Sequence, residues 1–130
     1  MKILLTEDDF VTRKYMCEFL SKYGECDVTV DGMEAVDAFL MELEAGKPYD
    51  LVCLDIMMPV MDGYQALMGI RNIEKEKGIP KEKAVKIIMT TALTDERNVK
   101  MAFEYGCTIY SGKPIDKERF EQALKKLGLI

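Results

Sequence analysis

Short aliphatic runs alternate five times with longer stretches whose apolar residues recur at helical spacing, and this alternation restricts the folds open to the chain. Lys2–Thr6 reads as a buried strand. Val11, Tyr15, Met16, Phe19 and Leu20 then mark a helix, with Gly24 where a C-terminal cap belongs. Residues 27–30 form a short second strand. Val36, Phe39, Leu40 and Leu43 mark a helix closed by Gly46-Lys47-Pro48, and residues 49–55 make a third strand ending on a carboxylate. A loop with Pro59 and Asp62-Gly63 leads into a helix bearing Leu67, Ile70 and Ile73. Residues 84–90 are strand four. Thr94 is positioned to cap a helix with Asp95 and Glu96 in its first turn, Val99, Ala102 and Phe103 as its apolar stripe, and Gly106 at its end. Residues 107–111 are strand five, and Asp116 is positioned to cap a last helix with Phe120, Leu124 and Leu127. Connections of helix length require parallel pairing with helices on both faces. Right-handed crossovers leave few topologies, of which the doubly wound order 2-1-3-4-5 fits best: an α/β, flavodoxin-like five-stranded sheet that binds ligands beyond the carboxyl ends of its strands.

Composition narrows the chemistry. The 130 residues suit one domain, read as spanning 1–130, with 48% hydrophobic residues to build a core. Histidine is absent, which removes Ser-His-Asp triads, Cys-His dyads and His-ligated zinc. A formal charge of −5 argues against nucleic-acid binding, which depends on Lys and Arg neutralising phosphates. Cys17, Cys26, Cys53 and Cys107 lack metal-ligand spacing and read as reduced, mostly buried thiols. The N-terminus turns acidic at Glu7, unlike a signal peptide, and no apolar run approaches the roughly 20 residues needed to span a bilayer. A cytoplasmic location without membrane contact is the expectation. The charged stretch 74–83 reads as a solvated helix end and loop.

The strand ends carry the polar residues. Strand one delivers Glu7, Asp8 and Asp9; strand three delivers Asp55; strand four ends in Thr90-Thr91; strand five is followed by Lys113-Pro114. In the order 2-1-3-4-5 the carboxylates and the threonine converge on one edge, with the lysine one strand farther along. Two unit charges about 5 Å apart repel by roughly 3 kcal/mol at an effective dielectric near 20. Asp9 alone serves as a helix cap; the rest of the cluster calls for a cation, and hard oxygen ligands suit Mg2+. A metal beside a carboxylate, a hydroxyl and a lysine is the equipment for phosphoryl transfer. Asp55 is then the nucleophile, and Lys113 and a threonine hydroxyl stabilise the phosphoryl oxygens.

The chain resembles the response-regulator receiver domains of two-component signalling. The resemblance rests on the run from Ile3 to Asp9, on Leu54-Asp55-Ile56-Met57-Met58-Pro59 with Met61-Asp62-Gly63, on Thr91-Ala92, and on Tyr110-Ser111-Gly112-Lys113-Pro114. It implies that Asp55 is the phosphoacceptor and that Glu7, Asp8, Asp55 and the Met57 backbone carbonyl serve Mg2+. Thr91 rather than Thr90 is the signalling hydroxyl. Lys113 contacts the phosphoryl group, its bond to Pro114 is cis, and Tyr110 is the aromatic switch. Glu7 stands where Asp is commoner in the family. Met57 and Leu93 flank the site, and their apolar side chains imply slow hydrolysis of the phosphoryl group.

Three rivals are weaker. A flavodoxin-like electron carrier needs a hydroxyl- and glycine-rich loop where Glu7-Asp8-Asp9 would repel phosphate. An aspartyl phosphatase carries a second Asp two residues after its nucleophile, where this chain has Met57. A degenerate receiver would not retain Asp8, Asp55, Thr91 and Lys113 together. The resemblance therefore implies a phosphoaccepting switch that promotes its own phosphorylation and dephosphorylation rather than a conventional enzyme. Its phosphodonor would be a histidine kinase or phosphotransfer protein. With the chain ending one helix after Pro114, no output domain is expected, so the signal would leave through a protein target, from a monomer or a phosphorylation-dependent dimer.

Overall fold

A computed structural model describes residues 1–130. The aliphatic runs become strands because both of their faces find cover; every residue of β3 (Leu51–Asp55) is buried. The order along the chain is β1 (Lys2–Thr6), α1 (Phe10–Leu20), β2 (Glu25–Thr29), α2 (Gly32–Glu44), β3, α3 (Gly63–Glu76), a 3-10 turn (Lys81–Lys83), β4 (Lys86–Thr91), α4 (Glu96–Glu104), β5 (Ile109–Gly112) and α5 (Lys117–Lys126). The sheet is wholly parallel in the order β2-β1-β3-β4-β5, as expected from the sequence.

Alternation along each strand sends side chains to two cores. Leu4, Val52, Leu54, Ile87 and Met89 pack under α2, α3 and α4, which supply Phe39, Leu67, Ile70 and Ala102. Ile3, Leu5, Leu51, Cys53 and Ile88 pack under α1 and α5. There Phe19 meets Phe120 edge to face with centroids 5.8 Å apart. All four cysteines are free thiols. No helix is long and apolar enough to cross a membrane.

All five helices begin at an aspartate: Asp9, Asp31, Asp62, Asp95 and Asp116 occupy the N-cap positions. Four of them accept backbone N–H groups of the first turn, and Asp62 forms a full capping box with Gln65. Much of the acidic surplus is therefore helix capping, and only the carboxylates at the β1 and β3 ends need another explanation.

Several local expectations are corrected. Asp95, not Thr94, caps α4, and its carboxylate binds Asn98 Nδ2 at 2.5 Å instead of a backbone N–H. Gly24 is no helix cap, since α1 closes at Ser21; Gly24 lies against the Met1 carbonyl, which an added Cβ would approach to 1.8 Å. Val11, Tyr15 and Phe103 are exposed, because Met16, Phe19, Leu20 and Ala102 already fill the space beneath α1 and α4. The stretch 74–83 is not uniformly solvated. Glu74 is buried, accepts Val85 N–H at 2.7 Å and pairs with Arg71 at 2.7 Å. Strand limits move by one or two residues, as frayed ends do.

Candidate functional site

β1 runs out at Thr6, and the Glu7 N–H continues its pairing by donating to the Thr29 carbonyl at 3.1 Å. This keeps Glu7 in line with Ile3 and Leu5, on the α1/α5 side of the sheet. The chain then turns. Asp8 is exposed, and Asp9 caps α1 by accepting the Thr12 N–H at 2.9 Å and its hydroxyl at 2.7 Å. Arg13 Nη1 donates to the carbonyls of Glu7 (3.0 Å) and Asp8 (3.3 Å), which fixes the turn from behind. Asp55, the last residue of β3, is buried. The loop after it returns closely: Gly63 N–H donates to the Ile56 carbonyl at 2.8 Å, and a Cβ on Gly63 would meet the Asp55 carbonyl at 2.2 Å. Only glycine fits there. Val60 in the same loop holds a left-handed backbone (φ 68°), a strained state for a β-branched residue.

Lys113, one residue past β5, closes the site. Its ammonium donates to Asp55 Oδ2 at 3.0 Å and to Glu7 Oε1. Its peptide bond to Pro114 is cis. Burial pushes the Glu7 carboxyl up to about 7; neighbouring Asp55 adds to the rise and Lys113 opposes it. Burial pulls the Lys113 ammonium down, but Glu7 and Asp55 outweigh it and leave its pKa above the ordinary lysine value.

Carboxylate oxygens of Glu7, Asp8 and Asp55 lie within 4.8 Å of one another. Three carboxylates against one ammonium leave a surplus of negative charge in a partly open cleft when all are ionised. All the donors are hard oxygens, and the Met57 carbonyl, two residues past Asp55, accepts no hydrogen bond from the protein. This set is positioned for Mg2+, which takes one or two carboxylates and completes its shell with water and phosphate oxygens.

Glu7, Asp8, Asp55 and Lys113 are thus brought together, while Thr91 and Tyr110 are engaged elsewhere. Thr91 Oγ1 accepts the Leu93 N–H at 3.1 Å, and the Tyr110 hydroxyl donates to the Leu93 carbonyl, so both are tied to one residue of the β4–α4 loop, through the peptide groups on either side of it. Met57 is exposed and Leu93 half-buried. Sequence reasoning passed over Arg13, which no local pattern ties to Glu7. Thr90, set aside there in favour of Thr91, has a buried hydroxyl with no hydrogen-bond partner and stands in register beside Asp55.

Comparison with known proteins gives a consistent result. The family model for the response regulator receiver domain matches residues 3–125. A probable histidine kinase 2 of Oryza sativa subsp. indica is 32% identical over 134 aligned positions, covering 95% of this chain but 12% of the kinase. The chain thus spans about an eighth of that relative's length. The CheX–CheY–BeF3–Mg2+ complex of Borrelia burgdorferi contains a chain with TM-score 0.83 and 28% identity, covering 98% of this chain and 89% of the other. A chain in the Saccharomyces cerevisiae complex of the phosphotransfer protein Ypd1 with the Ssk1 receiver domain aligns with TM-score 0.85 and 25% identity, covering 98% and 88%.

Proposed function

The chain belongs to the response-regulator receiver domain family, and from that premise we propose that it accepts a phosphoryl group on Asp55 from a phosphohistidine and signals through a protein partner. The observation that carries this reading is the single ammonium of Lys113 shared between Asp55 and Glu7 at the edge of a three-carboxylate cluster. An Asp55 oxygen attacks phosphorus in line with the scissile P–N bond. That bond breaks, and the departing imidazole nitrogen keeps the electron pair. Lys113 moves from Asp55 to a phosphoryl oxygen and offsets charge that builds in the transition state. Glu7, Asp8, Asp55 and the Met57 carbonyl would hold Mg2+, which when bound supplies further neutralisation of the phosphoryl oxygens.

The switch follows from Leu93, the residue that Thr91 and Tyr110 both hold. Drawing the Thr91 hydroxyl toward a phosphoryl oxygen removes its hold on Leu93 N–H, and the carbonyl of the same residue anchors Tyr110. Phosphorylation thereby favours a second arrangement of the β4–α4 loop and the α4–β5–α5 surface, with Tyr110 turned inward. The donor is a histidine kinase or phosphotransfer protein, and exposed Phe10 and Val11 beside Asp8 offer it an apolar contact. The Ypd1–Ssk1 complex is a precedent for such a pair. In this role the receiver works in the cytoplasm and acts on a protein target, as a monomer or as a dimer formed on phosphorylation.

Incubation with a small acyl phosphate and Mg2+ tests it by intact mass. The wild type gains one phosphoryl group, and Asp55→Ala or removal of Mg2+ abolishes the gain. Equal labelling of Asp55→Ala would refute the assignment.

A further inference from the structure

Thr90 holds the one buried side-chain polar atom without a hydrogen-bond partner. It is 1% exposed. Asp55 and Thr90 stand directly opposite each other on paired strands, and Thr90 in turn faces Ser111 on β5. Two residues back, Cys53 and Ile88 both point into the core beneath α1 and α5, so Asp55 and Thr90 share that face. Glu7 extends the same row on β1. Adjacent strands lie about 4.8 Å apart, which makes the Thr90 and Asp55 side chains cross-strand neighbours on that face. A buried hydroxyl without a partner is costly, and valine would fill the same volume without that cost. In the present arrangement Asp55 Oδ2 accepts from Lys113, and the Thr90 hydroxyl bonds to neither oxygen of the Asp55 carboxylate.

We propose that Thr90 is a positioning residue for the phosphorylated state: when Lys113 leaves Asp55 for the phosphoryl oxygens, the Thr90 hydroxyl donates to the Asp55 carbonyl oxygen released. The one buried hydroxyl without a partner is then satisfied, at an oxygen whose second lone pair stays free for Mg2+. The role differs from that of Thr91, whose hydroxyl reaches the phosphoryl group itself, and it rests on Asp55 being the phosphoacceptor.

Calorimetric titration with beryllofluoride in Mg2+, a stand-in for the phosphoryl group, tests the proposal on the wild type, Thr90→Val and Thr90→Ser. Thr90→Val weakens beryllofluoride binding about tenfold, the effect of one hydrogen bond to a polarised oxygen. It leaves affinity for Mg2+ alone unchanged and does not lower Tm. Thr90→Ser, which keeps the hydroxyl and loses the methyl, restores most of the affinity. Unchanged binding by Thr90→Val, or an equal loss in Thr90→Ser, overturns the proposal. A wild type that fails to bind beryllofluoride overturns the phosphoacceptor reading together with it.

Discussion

Glu7 pairs burial with a titration near neutrality. Its pKa rises from 4.5 to about 7, chiefly through burial. Between those values the folded protein keeps a proton that the unfolded chain has lost, so this group's contribution to stability falls as pH rises across the window. Denaturation at pH 5 and pH 8 without Mg2+ should show a larger loss for the wild type than for Glu7→Gln. Mg2+ needs the carboxylate form, so its affinity should rise over the same interval and the cation should restore stability at pH 8. A wild type and Glu7→Gln with the same pH slope would contradict this. At Met57, exposed beside the acceptor, an apolar side chain gives an attacking water no hydrogen-bonding partner. Met57→Asn should shorten the Asp55-phosphate lifetime severalfold in a decay assay, and an unchanged or longer lifetime would count against the idea.

At the scale of elements, the unexpected finding is the tie between α3, β4 and the end of α4. Arg71 donates to the Gly106 carbonyl (Nε, 2.9 Å) and to the Val85 carbonyl (Nη1, 2.9 Å), and Glu74 receives both Arg71 and the Val85 N–H. Glu74→Ala leaves the half-buried Arg71 guanidinium without its carboxylate and the Val85 N–H without an acceptor, which should cost roughly 3 kcal/mol. Thermal unfolding should show Tm lower by about 10 °C. Phosphorylation of the folded fraction should persist, since this tie lies at the strands' amino ends, away from Asp55. Sequence reading failed here because Arg71 and Glu74 are local helix neighbours whose partners are 11 to 35 residues away. It failed at Thr94 for another reason: two adjacent capping residues compete, and position along the helix decides. The α1 stripe was misread because Val11 and Tyr15 fit the helical period yet lie beyond the reach of the sheet.

At the scale of the whole molecule, strand order and site were legible for one reason. A doubly wound parallel sheet fixes which strand ends meet, so Glu7, Asp8, Asp55 and Lys113 could be gathered from positions 106 residues apart. The resemblance then supplied the roles of Tyr110 and the Met57 carbonyl, which spacing alone does not give. Pairing partners of individual hydroxyls were not legible, because rotamers of Thr90 and Thr91 depend on packing. The same frame leaves Phe10 at 65% and Val11 at 72% exposure beside the acidic cleft. Val11→Glu should slow phosphotransfer from a protein phosphohistidine about tenfold or more while labelling by a small acyl phosphate stays unchanged. Equal slowing of both would place Val11 in the cleft rather than on a docking surface.

The position of the phosphoryl group on the chain can be read directly. Borohydride reduces an acyl phosphate to the alcohol, which converts a phosphorylated aspartate to homoserine and marks its position for peptide mass mapping. After phosphorylation in Mg2+, the mark should fall on Asp55 and be absent from Glu7, Asp8 and Asp9. A mark on another carboxylate, or none in a protein that has gained phosphoryl mass, would contradict the assignment to Asp55.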